Sequence, residues 1–344
     1  MEGTDRESLI IGGGGFIGLN VAKYLLANRS GSVTLADYRF DRDLSDYFDE
    51  EDFSRLRLIT ADFTLSDSFE SLGDTYDHVY MLASVVGVNN AISHADKVVM
   101  VNTKLILNTI EWLERVKVKR VLFSSTSEIY SATTEVFDYS VPTSEDVPIC
   151  ISDSSDPRFS YAITKALGES AFLNSARSGR YEATVVRYHN AYGPDMGFKH
   201  VIPHLVQRFM SGETPFKVYG HDQTRAFSFI DDTVSGTVLA IESPEAAGEI
   251  IHIGTPLEIS IKELVLEVGK LLNYSGEFID APTYPGSVGR RCPDISKAKS
   301  LLNFEPQVHW REGVAVTVEW YRQFFANNEK PREDGFVSRE EFKC

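Results

Sequence analysis

A glycine-rich turn between a strand and a helix constrains the fold of this chain more than any other sequence feature. The apolar residues 9–11 run into four consecutive glycines, and apolar residues at helical spacing follow Gly18. Such a turn presents backbone N–H groups at a helix N-terminus, where a phosphate group binds. The spacing fits Gly-x-x-Gly-x-x-Gly from Gly12, Gly15 and Gly18, and also Gly-x-Gly-x-x-Gly from Gly13. A flexible turn without a ligand is the competing interpretation.

An acidic residue at the end of the second predicted strand indicates which nucleotide binds. Residues 33–37 form this strand, and Asp37 lies about 20 residues beyond the turn, where a carboxylate accepts hydrogen bonds from ribose hydroxyls and repels a 2′-phosphate. Arg39 instead favours a nucleotide with a 2′-phosphate, NADP, because a guanidinium pairs with phosphate. We predict NAD as the cofactor; a solvated strand end is the alternative for Asp37.

Alternating strand and helix patterns predict the fold class. Short apolar segments rich in β-branched and aromatic residues occur at 56–62, 77–83, 120–124 and 183–188, and helical patterns lie between them, notably at 95–117 and 161–176. This alternation predicts an α/β fold, a doubly wound parallel sheet of the Rossmann type. The mixed pattern beyond it predicts a smaller mixed α/β C-terminal lobe for substrate. We therefore predict an NAD-binding domain over residues 1–190 and a substrate lobe over 191–344, with residues about 225–253 returning to the first domain.

The charge and hydropathy of the chain exclude several classes of partner. The net charge is −16 over 344 residues, and we find no local basic patch, so neither nucleic acid nor an anionic membrane surface is expected as a partner. The sequence contains no run of about 18 apolar residues and no signal-like N-terminal segment. These features predict a soluble, cytoplasmic protein. We expect the tail 327–344 to be a surface arm.

Cysteine and histidine spacing predicts neither a disulfide framework nor a metal site. Cys150, Cys292 and Cys344 are far apart and form no C-x-x-C pair. His200 and His204 are four residues apart, but Pro203 lies between them and no third ligand is evident. We predict no metal.

Polar residues follow the fifth predicted strand, at the sheet edge where parallel α/β proteins bind ligands. Thr126, Ser127 and Glu128 place two hydroxyls and a carboxylate there. An ordinary Ser/Thr turn is the alternative for this segment.

A tyrosine and a lysine share one face of the predicted helix 161–176. Tyr161 and Lys165 lie four residues apart. An ammonium near a phenol favours the phenolate, and a bound nicotinamide cation favours it further, so Tyr161 is a candidate base at neutral pH. Such a pair also arises by chance, and it becomes informative only after five strands of a nucleotide-binding sheet.

Arginines in the second half of the chain are candidates for binding an anionic substrate. They are Arg187, Arg225, Arg290 and Arg291. Arg225 lies at a loop-to-strand junction, where its guanidinium can reach a diphosphate. Each of the four, taken singly, is also compatible with an ordinary surface charge.

The order of these motifs resembles that of the extended short-chain dehydrogenase/reductases, the nucleotide-sugar epimerase/dehydratase family, over about residues 8–325. The resemblance implies NAD as cofactor and a nucleotide sugar as substrate. Its implied catalytic residues are Thr126, Tyr161, Lys165 and Glu128. Its implied cofactor-binding residues are Gly12, Gly15, Phe16, Ile17, Gly18, Asp37, Asp62, Leu82 and Lys165. Its implied substrate-binding residues are Ser127, Asn190, Arg225 and Arg291. Relatives pair through two long helices, which implies a homodimer through residues 95–117 and 159–178.

The resemblance also implies a mechanism and leaves its outcome open. Tyr161 removes the proton of the sugar 4-hydroxyl while hydride leaves C4, Thr126 holds that hydroxyl, and Lys165 holds the nicotinamide ribose. Thr126-Ser127-Glu128 resembles the decarboxylases that act on UDP-glucuronate, although some amino-sugar dehydratases share it. A dehydratase that carries Thr-Asp-Glu or a 4-epimerase without a carboxylate fits less well. A non-catalytic sensor that binds NAD and a nucleotide is the alternative from another class.

Overall fold

The structure is a computed structural model that describes residues 6–283 and 289–327. The strands are β1 (Ser8–Ile11), β2 (Val33–Asp37), β3 (Leu56–Thr60), β4 (Thr75–Met81), β5 (Lys117–Thr126), β6 (Glu182–Tyr188), β7 (Ala191–Tyr192), β8 (Phe216–Tyr219), β9 (Thr224–Ala226), β10 (Ser228–Phe229), β11 (Ile250–Ile253), β12 (Glu258–Ser260), β13 (Phe278–Ala281) and β14 (Arg290–Arg291). The α-helices are α1 (Phe16–Asn28), α2 (Glu50–Ser54), α3 (Val88–Ser93), α4 (Ala95–Leu113), α5 (Thr133–Phe137), α6 (Ser160–Ala176), α7 (Val201–Met210), α8 (Ile230–Glu242), α9 (Ile261–Leu271), α10 (Ser296–Leu302) and α11 (Trp310–Ala326).

A seven-stranded sheet in the order β11-β6-β5-β4-β1-β2-β3 forms the centre of the fold. β1 pairs in parallel with both β2 and β4, and Ile11 lies opposite Ala36 and Met81. β1 is wholly buried, because its side chains face helices on both sides of the sheet. The glycine turn after β1 and the segment after β4 therefore leave the sheet at the same edge. This arrangement confirms the predicted doubly wound fold.

The later strands form small mixed sheets, as expected for a smaller mixed α/β lobe. β9 pairs antiparallel with β12 and in parallel with β14, and β8 pairs in parallel with β13. The chain divides into two compact units. Of the described residues, the first unit contains 6–129 and 151–185, and the second contains 130–150, 186–283 and 289–327. The assignment of cofactor to residues 1–190 and of substrate to residues 191–344 stays a prediction.

Several predicted element boundaries were wrong near the centre of the chain. Helix α4 ends at Leu113 instead of residue 117, because β5 begins at Lys117 and continues to Thr126. The first residues of β5 alternate between exposed and buried, and their charged side chains conceal the strand in the sequence. Thr126 is therefore the last residue of a strand. The short helix α5, between β5 and α6, was not predicted from the sequence.

The described part of the chain contains no helix that is both long and apolar enough to cross a membrane. The tail beyond residue 327, including Cys344, lies outside the described residues. Its predicted role as a surface arm stays a prediction. The expected absence of nucleic acid and membrane partners also stays a prediction.

Helix α6 packs closely against β5 because Gly168 has no side chain. A Cβ atom at this position would overlap the ring of Phe123, which is buried at 1 % exposure. The two elements are in contact, and Lys165 of α6 reaches the carbonyl of Ser124 near the end of β5.

We expect Gly168→Ala to destabilise the protein by about 1–3 kcal/mol, because an added methyl group must displace a packed ring. Urea unfolding of both proteins measures this change. Ser170→Ala is a suitable control, because Ser170 is exposed on the same helix, and it should alter the free energy of unfolding by less than about 0.5 kcal/mol. Equal stability of the Gly168→Ala protein and the unchanged protein would contradict this packing.

Candidate active site

The glycine turn forms a cradle that side chains would fill. Gly12 has a φ of +94°, which L-residues rarely adopt, and a Cβ there would overlap the backbone of Ala83. A Cβ on Gly18 would overlap the carbonyl oxygen of Gly12. Phe16 and Ile17 begin α1 directly after the turn. The turn thus leaves open the backbone surface that a diphosphate requires.

Asp37 is tied to this turn by backbone hydrogen bonds. Its carboxylate accepts from the N–H of Gly14 at 2.9 Å and from its neighbour Tyr38 at 2.7 Å. Burial raises the pKa of Asp37 to about 6, and these N–H groups offset part of that effect. Arg39, which the sequence left as a candidate for a 2′-phosphate, forms an ion pair with Asp41 at 2.5 Å. The surroundings of Asp37 therefore suit a ribose with free hydroxyls.

We expect NAD affinity to fall about 10- to 100-fold as the pH is lowered through about 6, because protonated Asp37 loses the charge that binds ribose hydroxyls. Calorimetric titration of NAD across this pH range measures the effect, with circular dichroism to verify folding. Asp37→Asn should bind NAD weakly at every pH. Asp43→Asn changes an exposed carboxylate and should keep the normal pH dependence. An unchanged pH profile in Asp37→Asn would refute this assignment.

The other predicted cofactor residues lie at the same edge of the sheet. Asp62 follows β3, and its carboxylate accepts from the N–H of Thr64 at 2.9 Å. Leu82 follows β4 and donates its N–H to the carbonyl of Ile11 at 2.8 Å. Their contacts with the cofactor stay predictions.

Polar groups from two segments of the first unit, the one after β4 and the one at the end of β5, act on the pKa of Tyr161. The hydroxyls of Thr126 and Ser84 lower the pKa of Tyr161, whereas burial and the Glu128 carboxylate raise it. The net shift is upward, which differs from the expectation that the nearby ammonium would favour the phenolate. Burial and a like charge outweigh the hydroxyl contacts here.

Lys165 is directed at the end of β5 instead of at the Tyr161 hydroxyl. Its ammonium donates to the carbonyl of Ser124 at 2.8 Å and lies 5.6 Å from the Tyr161 ring centroid. Burial lowers the pKa of Lys165 to about 7, and the carboxylate of Glu169 opposes this shift. Glu169, which is 3 % exposed, also accepts from the hydroxyl of Ser125 at 2.5 Å. Sequence reasoning missed Glu169, although it lies one helical turn after Lys165.

The turn after β5 sets the spacing of its polar groups. Residues Ser127–Tyr130 form a 3₁₀ turn, and the Thr126 hydroxyl accepts from the N–H of Glu128 at 3.2 Å. Ser127 is buried at 3 % exposure, whereas Glu128 is partly exposed. This turn allows Thr126 and Glu128 both to act on the pKa of Tyr161.

Two of the predicted substrate arginines are neighbours within the second unit. Arg225 on β9 lies opposite Arg291 on β14 in parallel register, so both side chains leave the same face of that sheet. Arg225 donates to the carbonyls of Thr224 at 2.7 Å and Gly289 at 3.2 Å, which fixes its guanidinium. Substrate binding by this pair stays a prediction.

The remaining anion candidates have other partners. Arg187 is 2 % exposed and donates to the Tyr130 hydroxyl and, at 3.1 Å, to the carbonyl of Glu145, so its interpretation as a surface charge was wrong. Arg290 forms an exposed ion pair with Glu258 at 2.7 Å.

Asn190 has a structural contact beside its predicted role. It has a φ of 43° and donates its side-chain amide to the carbonyl of Ala226 at 3.0 Å. Its contact with substrate stays a prediction.

Among residues 6–283 and 289–327, no group of three His, Cys, Asp or Glu side chains is arranged to hold a metal ion. Cys150 and Cys292 are free thiols.

Comparison with known proteins identifies the family. Residues 8–254 match the NAD dependent epimerase/dehydratase family. The chain belongs to this family. The cradle at Gly12–Gly18 and the carboxylate of Asp37 fit NAD, the cofactor that the family name states. The chain is therefore an NAD-dependent enzyme of the epimerase/dehydratase type, as predicted.

Three relatives illustrate the similarity. The UDP-N-acetyl-alpha-D-glucosaminuronate decarboxylase of Bacillus cytotoxicus is 33 % identical over 92 % of this chain and 98 % of its own length. The UDP-glucuronic acid decarboxylase 3 of Arabidopsis thaliana is 30 % identical over 91 % and 88 %. The crystal structure of UDP-glucuronic acid 4-epimerase from Bacillus cereus, in complex with UDP-glucuronic acid and NAD, superposes with a TM-score of 0.77 at 25 % identity, over 92 % of this chain and 99 % of that one.

Proposed function

We propose that this enzyme oxidises C4 of a UDP-linked hexuronate to a 4-keto sugar and then decarboxylates it. The observation that carries the proposal is the carboxylate of Glu128, which stands close enough to the Tyr161 hydroxyl to raise its pKa. A carboxylate there has a use after oxidation, whereas oxidation alone requires only a base and a hydroxyl. Relatives that decarboxylate UDP-N-acetyl-glucosaminuronate and UDP-glucuronate support this class of substrate.

In the oxidation step, Tyr161 accepts the proton of the sugar 4-hydroxyl as general base. When bound, NAD would supply the hydride acceptor for C4 and the hydride donor for the final reduction. The Thr126 hydroxyl, at the end of β5, holds the same sugar oxygen. Lys165, whose ammonium donates to the Ser124 carbonyl, would hold the nicotinamide ribose.

In the second step, the C5–C6 bond breaks and carbon dioxide leaves. The bonding electron pair moves towards C5 and the C4 carbonyl, which develops negative charge. A proton from water then adds to C5, and Tyr161 returns its proton to the C4 oxygen when the ketone is reduced. We assign Glu128 to this step, because its negative charge would disfavour the substrate carboxylate and so favour its loss as neutral carbon dioxide.

Ser127 favours this outcome over dehydration. Its alcohol is a poor proton donor for a leaving hydroxyl. Ser127 occupies the position of the Asp in the Thr-Asp-Glu pattern of dehydratases. A 4-epimerase product is the second outcome to test, because a UDP-glucuronate 4-epimerase is 28 % identical over 92 % of this chain.

Incubation of the purified protein and NAD with UDP-glucuronate and with UDP-N-acetyl-glucosaminuronate tests this proposal. We expect release of carbon dioxide and a UDP-pentose, detected by mass spectrometry, from at least one of them. UDP-glucose and UDP-N-acetyl-glucosamine serve as controls, because they have no carboxyl group. An epimerised uronate that keeps its carboxyl group would replace the decarboxylase with a 4-epimerase. If no nucleotide sugar from UDP, dTDP or GDP panels is altered, the sensor interpretation replaces the enzyme.

We also propose a homodimer that pairs through α4 and α6. The two helices pack together and expose large apolar side chains, namely Met100 at 46 %, Leu107 at 48 % and Leu167 at 42 % exposure. Met100 and Leu107 lie seven residues apart on one face of α4. Exposed apolar side chains on neighbouring helices are typical of a surface that another subunit covers.

Sedimentation analysis tests the dimer. We expect the unchanged protein to sediment as a dimer and Leu107→Glu with Leu167→Glu to sediment as a monomer, because charged side chains resist burial in an interface. Leu257→Glu is a matched control, because Leu257 is 43 % exposed but lies outside both helices. A monomeric unchanged protein would reject the proposal.

A further inference from the structure

Two arginines follow the carboxylate that we assign to the cofactor ribose. Arg39 and Arg42 lie two and five residues after Asp37. A guanidinium in this position is the group that accommodates the 2′-phosphate of NADP. The chain nevertheless belongs to a family whose cofactor is NAD. The partners of these two guanidinium groups therefore bear on the choice between the two cofactors.

The segment after β2 lies directly against the glycine turn. A Cβ atom at Gly14 would lie 2.5 Å from the carbonyl oxygen of Arg39 and 3.2 Å from the Asp37 carboxylate. The N–H of Gly14 donates to the same carboxylate at 2.9 Å. Burial raises the pKa of Asp37, and the positive charge of Arg39 is among the groups that lower it. Arg39 is therefore close enough to act on the charge of the ribose site.

Arg42 is engaged by the turn itself. Its guanidinium donates to the carbonyl of Gly14 at 2.9 Å, in a partly buried contact. This hydrogen bond ties the segment after β2 to the backbone of the glycine turn. Arg42 is thus part of the structure that shapes the turn.

Arg39 is held in a different way, by a carboxylate of its own segment. Its Nε atom lies 2.5 Å from a carboxylate oxygen of Asp41, and its guanidinium lies 5.0 Å from the ring centroid of Tyr38. The side chains of Arg39 and Asp41 are 29 % and 40 % exposed, so both remain accessible to solvent. The ion pair offsets a positive charge that would otherwise face a nucleotide beside Asp37.

We infer that Asp41 is a specificity-determining residue for the cofactor, which pairs with Arg39 and so withholds this guanidinium from a 2′-phosphate. Asp37 repels a 2′-phosphate directly, whereas Asp41 removes the attraction that Arg39 would offer. The inference rests on the assignment of Asp37 to the ribose, and it does not depend on which sugar the enzyme converts. Because a partly exposed ion pair adds little to stability, replacement of Asp41 should leave the protein folded.

The test uses AMP and adenosine 2′,5′-bisphosphate, which differ only in the 2′-phosphate. Calorimetry measures both affinities in Asp37→Asn and in the double variant that also carries Asp41→Asn. The first substitution removes the direct repulsion, so that the 2′-phosphate can approach. Titrations at low salt and about pH 8 keep this phosphate doubly charged.

We expect the bisphosphate to bind the double variant about five- to tenfold more tightly than Asp37→Asn, because Arg39 gains a charge-assisted hydrogen bond to phosphate. AMP affinity should differ by less than about twofold between these two proteins, since AMP has no group for Arg39 to bind. The gain for the bisphosphate should shrink as salt is added, because the contact is accessible to solvent.

Three further variants, each made in the Asp37→Asn background, identify the source of the gain. Asp43→Asn changes the net charge by the same amount in the same segment, but the Asp43 carboxylate accepts from the hydroxyl of Ser45 at 2.7 Å, and no gain is expected. Asp41→Glu keeps the charge and should keep bisphosphate binding weak. Arg39→Gln, added to the double variant, should abolish the gain.

The outcomes separate this inference from the assignment on which it rests. Equal bisphosphate affinity with and without Asp41→Asn, or a gain that persists after Arg39→Gln, would overturn the role of Asp41. Asp37→Asn should itself weaken AMP binding relative to the unchanged protein, because AMP carries free ribose hydroxyls. Unchanged AMP binding there would overturn the ribose assignment and this inference with it. Circular dichroism verifies that each variant is folded.

Discussion

Tyr161→Phe is expected to lower the rate of sugar oxidation by about 10²- to 10⁴-fold, the range that a positioned general base contributes. The phenylalanine keeps the ring and removes only the oxygen that accepts the 4-hydroxyl proton. Absorbance of NADH after rapid mixing with UDP-glucuronate measures this step directly.

The size of this loss follows from the surroundings of the hydroxyl. The Thr126 and Ser84 hydroxyls lower the pKa of Tyr161, but burial and Glu128 raise it and the net shift is upward, so the protein alone keeps it protonated at neutral pH. Bound oxidised nicotinamide brings a positive charge that favours the phenolate. We therefore expect the rate to rise with pH until Tyr161 is deprotonated, and this pH-dependent limb to be absent in Tyr161→Phe.

Tyr181→Phe provides a matched control for the loss of a buried tyrosine hydroxyl. Tyr181 is 6 % exposed, follows α6 and lies away from Thr126 and Lys165 in the sequence. This variant should oxidise sugar at the normal rate, and Tyr161→Phe should still bind NAD. A Tyr161→Phe protein that oxidises sugar within a few-fold of the normal rate would show that another group is the base.

Glu128→Gln is expected to separate the two chemical steps. Removal of the carboxylate charge eliminates a group that raises the Tyr161 pKa, so the pH-dependent limb of sugar oxidation should move to lower pH. Release of carbon dioxide should instead fall by about 10²-fold or more, the range of a positioned catalytic group, because the charge that disfavours the substrate carboxylate is lost. The expected result is NADH that forms and persists.

Simultaneous measurement of NADH and labelled carbon dioxide makes this prediction specific. Glu111→Gln serves as the control, because Glu111 is exposed on α4 and has no place in the proposed chemistry. If NADH in Glu128→Gln disappears at the normal rate and carbon dioxide release is unchanged, Glu128 has no role in the second step.

Local sequence patterns predicted much of the fold, because the elements concerned are stabilised by local interactions. The glycine turn, the strand that ends in Asp37 and the helix from Tyr161 to Ala176 depend on backbone sterics and on residue periodicity, which are visible along the chain. The structure confirms these elements, with small changes at their ends. The boundary between α4 and β5 was harder, because charged residues at the start of a strand resemble a helix end.

The candidate site likewise contains residues that the sequence predicted and residues that it did not. Thr126, Tyr161 and Lys165 were accessible from sequence, because motif order and four-residue spacing predict which side chains reach the sheet edge. The buried carboxylate of Glu169 was not, because its contact with the Ser125 hydroxyl joins residues that are far apart in the sequence. Arg187 was misread for a related reason: an arginine in a sequence gives no sign that a tyrosine hydroxyl and a backbone carbonyl have buried it.

The sequence by itself determined the fold class and the NAD cofactor and predicted the reacting side chains, because these depend on spacing along one strand, turn or helix. Only the tertiary structure decided the ionisation of those side chains. The Tyr161 pKa rises, although the sequence places a lysine one turn away, because burial and the Glu128 carboxylate act through space. The amide of Asn102 likewise joins residues 85 and 164, whose separation along the chain hides a contact that folding creates.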